Sequence, residues 1–144
     1  MKIYLGTDHA GFELKESIKS FLLEKGYEVQ DCGAFSFDPG DDYPDFIRPA
    51  AEAVAQDESS RGIVLGGSGE GEAMVANRIP GVRATVYYGG SHEIIRLSRA
   101  HNNANVLSLG ARFVSKEEAF TVIALWLETP FSEEERHKRR LAKF

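Results

Sequence analysis

The feature that most constrains this chain is an alternation of two kinds of segment. Short, continuously apolar runs end in glycine or polar turns, and longer stretches between them carry apolar residues at helical spacing. Ile3–Leu5 runs into Gly6-Thr7-Asp8. Phe12, Leu14, Ile18, Phe21, Leu22 and Leu23 then recur at helical spacing until Lys25-Gly26 stops them. Tyr27–Val29, Gly62–Leu65, Val82–Tyr88 and Val106–Leu109 read as further strands. Gly62–Leu65 is apolar at consecutive positions, as a strand covered on both faces should be. Helices are expected over Tyr43–Asp57 (entered after Pro44), Glu72–Arg78 (closed by Pro80-Gly81), Ser91–Arg99, Ser115–Leu127 and Ser132–Leu141. Ser115 with Glu118 has the spacing of a capping box, and Ser132 stands as a cap of the last helix. Asp38-Pro39-Gly40-Asp41-Asp42 makes Phe35–Asp42 a loop. Strands alternating with helices imply an α/β chain: a three-layer α/β/α sandwich around a five-stranded parallel sheet. No repeat or linker divides the chain, so residues 1–144 are expected to form one domain of ordinary size.

Charge narrows the function classes. Seventeen Lys and Arg against 22 Asp and Glu leave a net charge of −5, and the pI is about 5.4. That balance argues against a nucleic-acid binder. Cys32 is the only cysteine, so no disulfide or thiolate metal cluster can form within one chain. A reducing compartment, the cytoplasm, is expected. The start of the chain turns polar too soon for a signal peptide. No run approaches the roughly 18 apolar residues of a membrane-spanning helix. The last helix is unusual: Arg136, His137, Lys138, Arg139 and Arg140 have few apolar companions. Either it is a solvated face or it reaches another subunit.

In open parallel sheets ligands bind beyond the carboxyl ends of the strands. Asp8, His9 and Gly11 follow the first strand; Gly66-Gly67-Ser68-Gly69-Glu70-Gly71-Glu72 follows the third; Gly110-Ala111-Arg112 follows the fifth. The glycine run can turn successive backbone N–H groups toward one spot, making a nest for a phosphate or a developing oxyanion; the alternative is a tight structural turn. It has neither the Lys-Ser/Thr of a nucleotide P-loop nor the position of a dinucleotide fingerprint. Glu72 is either a dipole-favoured helix start or a base held beside that oxyanion site. Glu70 is a weaker candidate. His101-Asn102 reads as a solvated helix end or as an acid acting on a ring oxygen. Arg136 and Arg140 share one helical face; with Arg112 they either clamp a phosphate or pair with Glu133, Glu134 and Glu135.

Taken together, in order, these motifs resemble the ribose-5-phosphate isomerase B family, which includes the galactose-6-phosphate isomerase subunits. The residues that carry the resemblance are Gly6-Thr7-Asp8-His9-Ala10-Gly11, Asp41-Asp42-Tyr43-Pro44, Gly66 through Glu72, His101-Asn102-Asn103-Ala104-Asn105, Leu109-Gly110-Ala111-Arg112 and Arg136-His137-Lys138-Arg139-Arg140. The resemblance implies a Rossmann-like fold without a dinucleotide, cofactor or metal. It implies a cis-enediolate route between an aldose phosphate and a ketose phosphate. It also implies a homodimer, often paired into a tetramer, with sites shared between subunits. In one branch of the family a cysteine opens the glycine loop. Here that position is Gly66, which matches the branch whose base is the glutamate at the loop's end, Glu72. Carried over, Asp8 and His101 open the sugar ring and His9 helps bind phosphate. Gly67, Ser68, Gly69, Glu70 and Gly71 surround the enediolate, with Ser68 near O1 or O2. Asn102 holds a hydroxyl, Tyr43 lines the sugar site, and Arg112, Arg136 and Arg140 take the phosphate. The implied reaction interconverts ribose 5-phosphate and ribulose 5-phosphate. Its alternatives are a six-carbon aldose phosphate (allose or galactose 6-phosphate) and a non-catalytic sugar-phosphate binder. The chain is slightly longer than the family pattern near Gly89-Gly90-Ser91-His92, and His92 takes no role from the resemblance.

Overall fold

The computed structural model describes all 144 residues. Five strands form one parallel sheet: β1 (Lys2–Thr7), β2 (Glu28–Asp31), β3 (Arg61–Gly66), β4 (Ala84–Tyr87) and β5 (Val106–Gly110), in the order β2-β1-β3-β5-β4. Six helices connect and follow them: α1 (Phe12–Glu24), α2 (Pro44–Gln56), α3 (Glu70–Ala76), α4 (His92–Asn102), α5 (Lys116–Glu128) and α6 (Glu135–Leu141). A 3-10 turn, His9–Gly11, precedes α1.

The layers follow from strand geometry, in which successive side chains point to opposite faces. Ile3, Leu5, Ile63, Leu65, Leu107 and Leu109 meet Ile18 and Leu22 of α1, Ile95 of α4, and Val122, Ile123 and Trp126 of α5. Tyr4, Val64 and Val106 point the other way, onto Ile47, Ala50, Ala51 and Val54 of α2 and Ala76 of α3. Each fully buried Leu or Ile contributes about 1.5–3 kcal/mol, so both faces are held by apolar burial. The expected three-layer α/β/α sandwich is the architecture found. Cys32 packs partly buried against the α2 side, as a small apolar residue.

Several boundaries differ from the sequence expectation. The second strand is Glu28–Asp31 rather than Tyr27–Val29, because its register on β1 pairs Lys2 with Glu28 and Leu5 with Asp31. The helix after the glycine run starts at Glu70, not Glu72, because Gly69 at φ 82° makes the turn by itself. His101 and Asn102 are the last two residues of α4, and left-handed Asn103 closes that helix. Ser115 does cap α5, accepting the Glu118 N–H at 3.1 Å. The Glu118 carboxylate instead binds the Tyr87 hydroxyl and His92 Nε2, so the capping box is half made. The last helix starts at Glu135 behind Glu134, with no side-chain cap, rather than at Ser132.

The topology gathers the ends of the central strands β1, β3 and β5 in one place. Helix α4 descends from the end of β4 to the start of β5, so its last turn lies at the opposite end of the sheet. Eleven residues of helix span about 16 Å.

Candidate functional site

One group of predicted residues assembles where β1, β3 and β5 end. Thr7 Oγ1 donates to the Leu65 carbonyl at 3.0 Å and locks β1 to β3 just before Asp8. Asp8 is only 7% exposed, and its Oδ1 accepts the Ala10 N–H at 3.0 Å, capping the 3-10 turn. The Gly66–Gly71 loop crosses toward β5, and its carbonyls are taken there. Ala111 N–H binds the Gly66 carbonyl at 2.8 Å and Arg112 N–H the Gly67 carbonyl at 3.2 Å. Ser108 Oγ binds the Gly69 carbonyl at 2.6 Å. A planar peptide points its N–H opposite its C=O. The N–H groups of Gly67, Ser68 and Glu70 are therefore turned away from β5, the arrangement of a nest. Ser68 Oγ sits within it, 3.3 Å from Glu70 N. The Glu70 side chain is exposed.

Glu72, in the first turn of α3, is 4% exposed. A Cβ placed on Gly66 would overlap its carboxylate, so the glutamate fills the space that any other residue at position 66 would need. Burial pushes the Glu72 carboxyl above the usual carboxylate range and the Asp8 charge adds to the rise, while the N–H groups of Glu72 and Gly69 pull against it. A buried carboxylate with a raised pKa beside a set of N–H donors is equipped to take a proton from carbon while the adjoining oxygen gains charge. Tyr43 rests its hydroxyl on Gly71, and the Arg112 guanidinium lies over Gly67.

His9 is held by Asp41, a residue the sequence reading quoted within a motif but gave no role. Asp41 Oδ1 is 2.6 Å from His9 Nδ1 and accepts the His9 N–H at 3.1 Å. Asp8 Oδ2 stands 3.9 Å from the same ring nitrogen. The three side chains bring one polar atom each to within 4.8 Å of one another. His9 Nδ1 is already engaged by Asp41, which makes the group a carboxylate–imidazole dyad with Asp8 beside it.

A second group lies at the far end of the sheet. His101 stacks on His137 with ring centroids 4.2 Å apart and planes 15° from parallel. His137 is the one buried residue of α6. Burial, together with His101, Arg136 and Arg140, holds the His137 pKa below the ordinary imidazole value. Arg136 pairs with Glu134 at 2.8 Å, the surface pairing that the sequence left open. Asn102 lines a groove along edge strand β4 with Ile79, Val82, Thr85, Leu141 and Phe144. Within one chain, then, Asp8, His9, Tyr43, Gly67–Glu72 and Arg112 come together. His101, Asn102, Arg136 and Arg140 come together elsewhere.

A parallel Rossmann-like sheet with a glycine nest and buried carboxylates beyond its central strands defines an α/β protein built to handle a small anionic ligand. The chain belongs to the Ribose/Galactose Isomerase family, whose sequence model matches residues 3–144. It is 46% identical over 141 residues to ribose-5-phosphate isomerase B of Mycolicibacterium paratuberculosis, covering 98% of this chain and 87% of that protein. The Escherichia coli ribose-5-phosphate isomerase B is 40% identical, over 97% of this chain and 91% of the other. Among solved structures, ribose-5-phosphate isomerase B of Mycoplasma genitalium with bound ribulose-5-phosphate superposes with a TM-score of 0.93 at 38% identity, covering 99% of this chain and 92% of that one. The Clostridium thermocellum enzyme gives 0.93 at 43% identity, covering 99% and 94%.

Proposed function

We propose that the chain is an aldose–ketose isomerase that interconverts ribose 5-phosphate and ribulose 5-phosphate, with Glu72 as the base. The carrying observation is the placement of the Glu72 carboxylate, buried over Gly66 and next to the nest. Two relatives that bear this activity in their names span nearly the whole chain, and the Mycoplasma genitalium structure binds the ketose product.

The steps follow from the sugar's chemistry. A furanose has no acidic C–H, so Asp8 and His101 first open the ring by moving a proton between the ring oxygen and O1. The aldehyde makes the C2 proton acidic only if charge on O1 is stabilised. The N–H groups of the Gly66–Gly71 loop and Ser68 supply that stabilisation; one such donor is typically worth about 2.7–4 kcal/mol. Glu72 takes the proton from C2 to give the cis-enediolate; the O2 hydroxyl proton passes to O1 through Ser68, and Glu72 returns its own proton to C1 as C2 becomes the ketone carbonyl. Tyr43 and Asn102 hold the sugar; His9, Arg112, Arg136 and Arg140 hold the phosphate, which anchors the reacting carbons. His101, Asn102, Arg136 and Arg140 lie at the opposite end of the sheet from Glu72, so a second copy of the chain must supply them. The functional unit is a homodimer or a pair of dimers.

Glu72→Gln tests the reading. Turnover of ribose 5-phosphate should fall by about 10²–10⁴-fold, while calorimetry still detects substrate binding. Undiminished turnover removes Glu72 from the mechanism. Assaying five- and six-carbon aldose phosphates side by side sets the substrate length.

A further inference from the structure

We infer that Asp41 is a positioning residue that fixes the His9 ring with Nδ1 turned inward and Nε2 left for the substrate phosphate. This rests on the isomerase reading given above. The loop that carries Asp41 lies on the site at two points: Asp41 meets His9, and Tyr43 meets Gly71. Asp41 Oδ1 touches both the backbone N–H and the Nδ1 of His9, at 3.1 and 2.6 Å. Its side chain is 9% exposed. Its second oxygen is buried with no protein partner, so the carboxylate has no other engagement to explain its burial. The charged groups facing the ring are Asp41 from the loop and Asp8 from the end of β1, the latter at 3.9 Å. The Phe37 ring closes the edge, with centroids 6.1 Å apart and planes at 88°.

A carboxylate accepts and cannot donate, so the hydrogen in the short contact belongs to His9 Nδ1. The choice of tautomer is thereby made by Asp41, since the bond at one ring nitrogen decides the state of the other. Nε2 is then the only ring nitrogen free to contact a ligand: it accepts from a protonated phosphate oxygen, and it donates to a phosphate dianion once it has taken up a second proton. Because Asp8 is the neighbouring residue, the same turn presents a ring-opening carboxylate and an aimed imidazole together.

The rival explanation is that Asp41 only pins its loop to the 3-10 turn through the His9 N–H. Three measurements separate the two. In ring-labelled wild-type protein at pH 8, two-bond ¹H–¹⁵N spectra should show His9 carrying its hydrogen on Nδ1, and Asp41→Leu should abolish that preference. Asp41→Leu should raise the KM for ribose 5-phosphate at least tenfold with kcat within about twofold. Asp41→Asn, which keeps an acceptor of the same shape, should restore KM to within about threefold of wild type. An Nε2–H tautomer in the wild type overturns the inference. So does a wild-type KM in Asp41→Leu, a loss in kcat at unchanged KM, or an Asn variant as impaired as the Leu variant. If the wild type does not turn over ribose 5-phosphate, the isomerase reading falls, while the spectra still decide whether Asp41 sets the tautomer.

Discussion

Gly66 and Glu72 occupy adjoining space, and only one of them can have a side chain there. Gly66→Ala should therefore displace the Glu72 carboxylate and lower kcat by about 10²-fold or more, the scale of losing a placed base. Steady-state kinetics check this, with circular dichroism to show that the fold persists. The raised pKa of Glu72 carries a second consequence. The native state keeps this proton to higher pH than the unfolded chain, so its contribution to stability is complete below the ordinary glutamate value near about 4.3. It is lost as pH rises toward the raised value. At neutral pH the buried charge is a net cost. Glu72→Gln should thus be inactive yet more stable to urea than the wild type at pH 7, with the gain fading as pH falls through the raised value and gone below about 4. A variant less stable at pH 7 contradicts this account. The same logic places the acid limb of the kcat/KM profile above the ordinary glutamate range. Asp8 and Glu72 could be read from the sequence because strand ends and a glycine run mark where ligands bind. Asp41 could not, since its role depends on a loop folding back 32 residues onto His9.

The joints between elements rest on isolated polar or aromatic contacts. Lys15 of α1 is fully buried and reaches both oxygens of Asp31, at the end of β2, at 2.7 Å, and the Ala34 carbonyl at 2.7 Å. Burial works to raise the Asp31 pKa, but hydrogen bonds from Lys15, the Gly33 N–H and Lys19 outweigh it and hold it below the usual value. Removing one partner of a buried pair strands the other, at a cost of about 3–5 kcal/mol. Asp31→Ala should lose that much in urea unfolding, and Lys15→Met in the same background should recover most of it. Helix α6 is attached differently: its one buried side chain, His137, lies flat on His101. His137→Ala should release α6, seen as faster hydrogen exchange over Glu135–Leu141, and raise KM by loosening Arg136 and Arg140. The alternation of apolar runs and amphipathic stretches made the strand and helix order legible. Less legible were β2, whose Gln30 and Asp31 look like loop, and the start of α6, where a serine suggested a cap that the chain does not use. Both are fixed by contacts with distant segments rather than by local preference.

At the scale of the molecule, parallel strands give the sheet two unlike ends. Glu72 stands at one and His101 at the other. Two copies related by a two-fold axis can bring one chain's Glu72 end to its partner's His101 end, and symmetry then makes the pairing twice. The prediction is complementation. Glu72→Gln and His101→Asn proteins, each inactive alone, should regain about one-quarter of wild-type activity when unfolded together and refolded. Random pairing makes half the dimers mixed, and each of those holds one intact centre of two. No recovery would place a complete centre within one chain. The unlike ends of the sheet also set how the protein could be controlled. In the proposed dimer, a ligand that merely parts the two copies would silence both centres without resembling the sugar, and a defective copy would leave its partner's other half available for rescue rather than poisoning it.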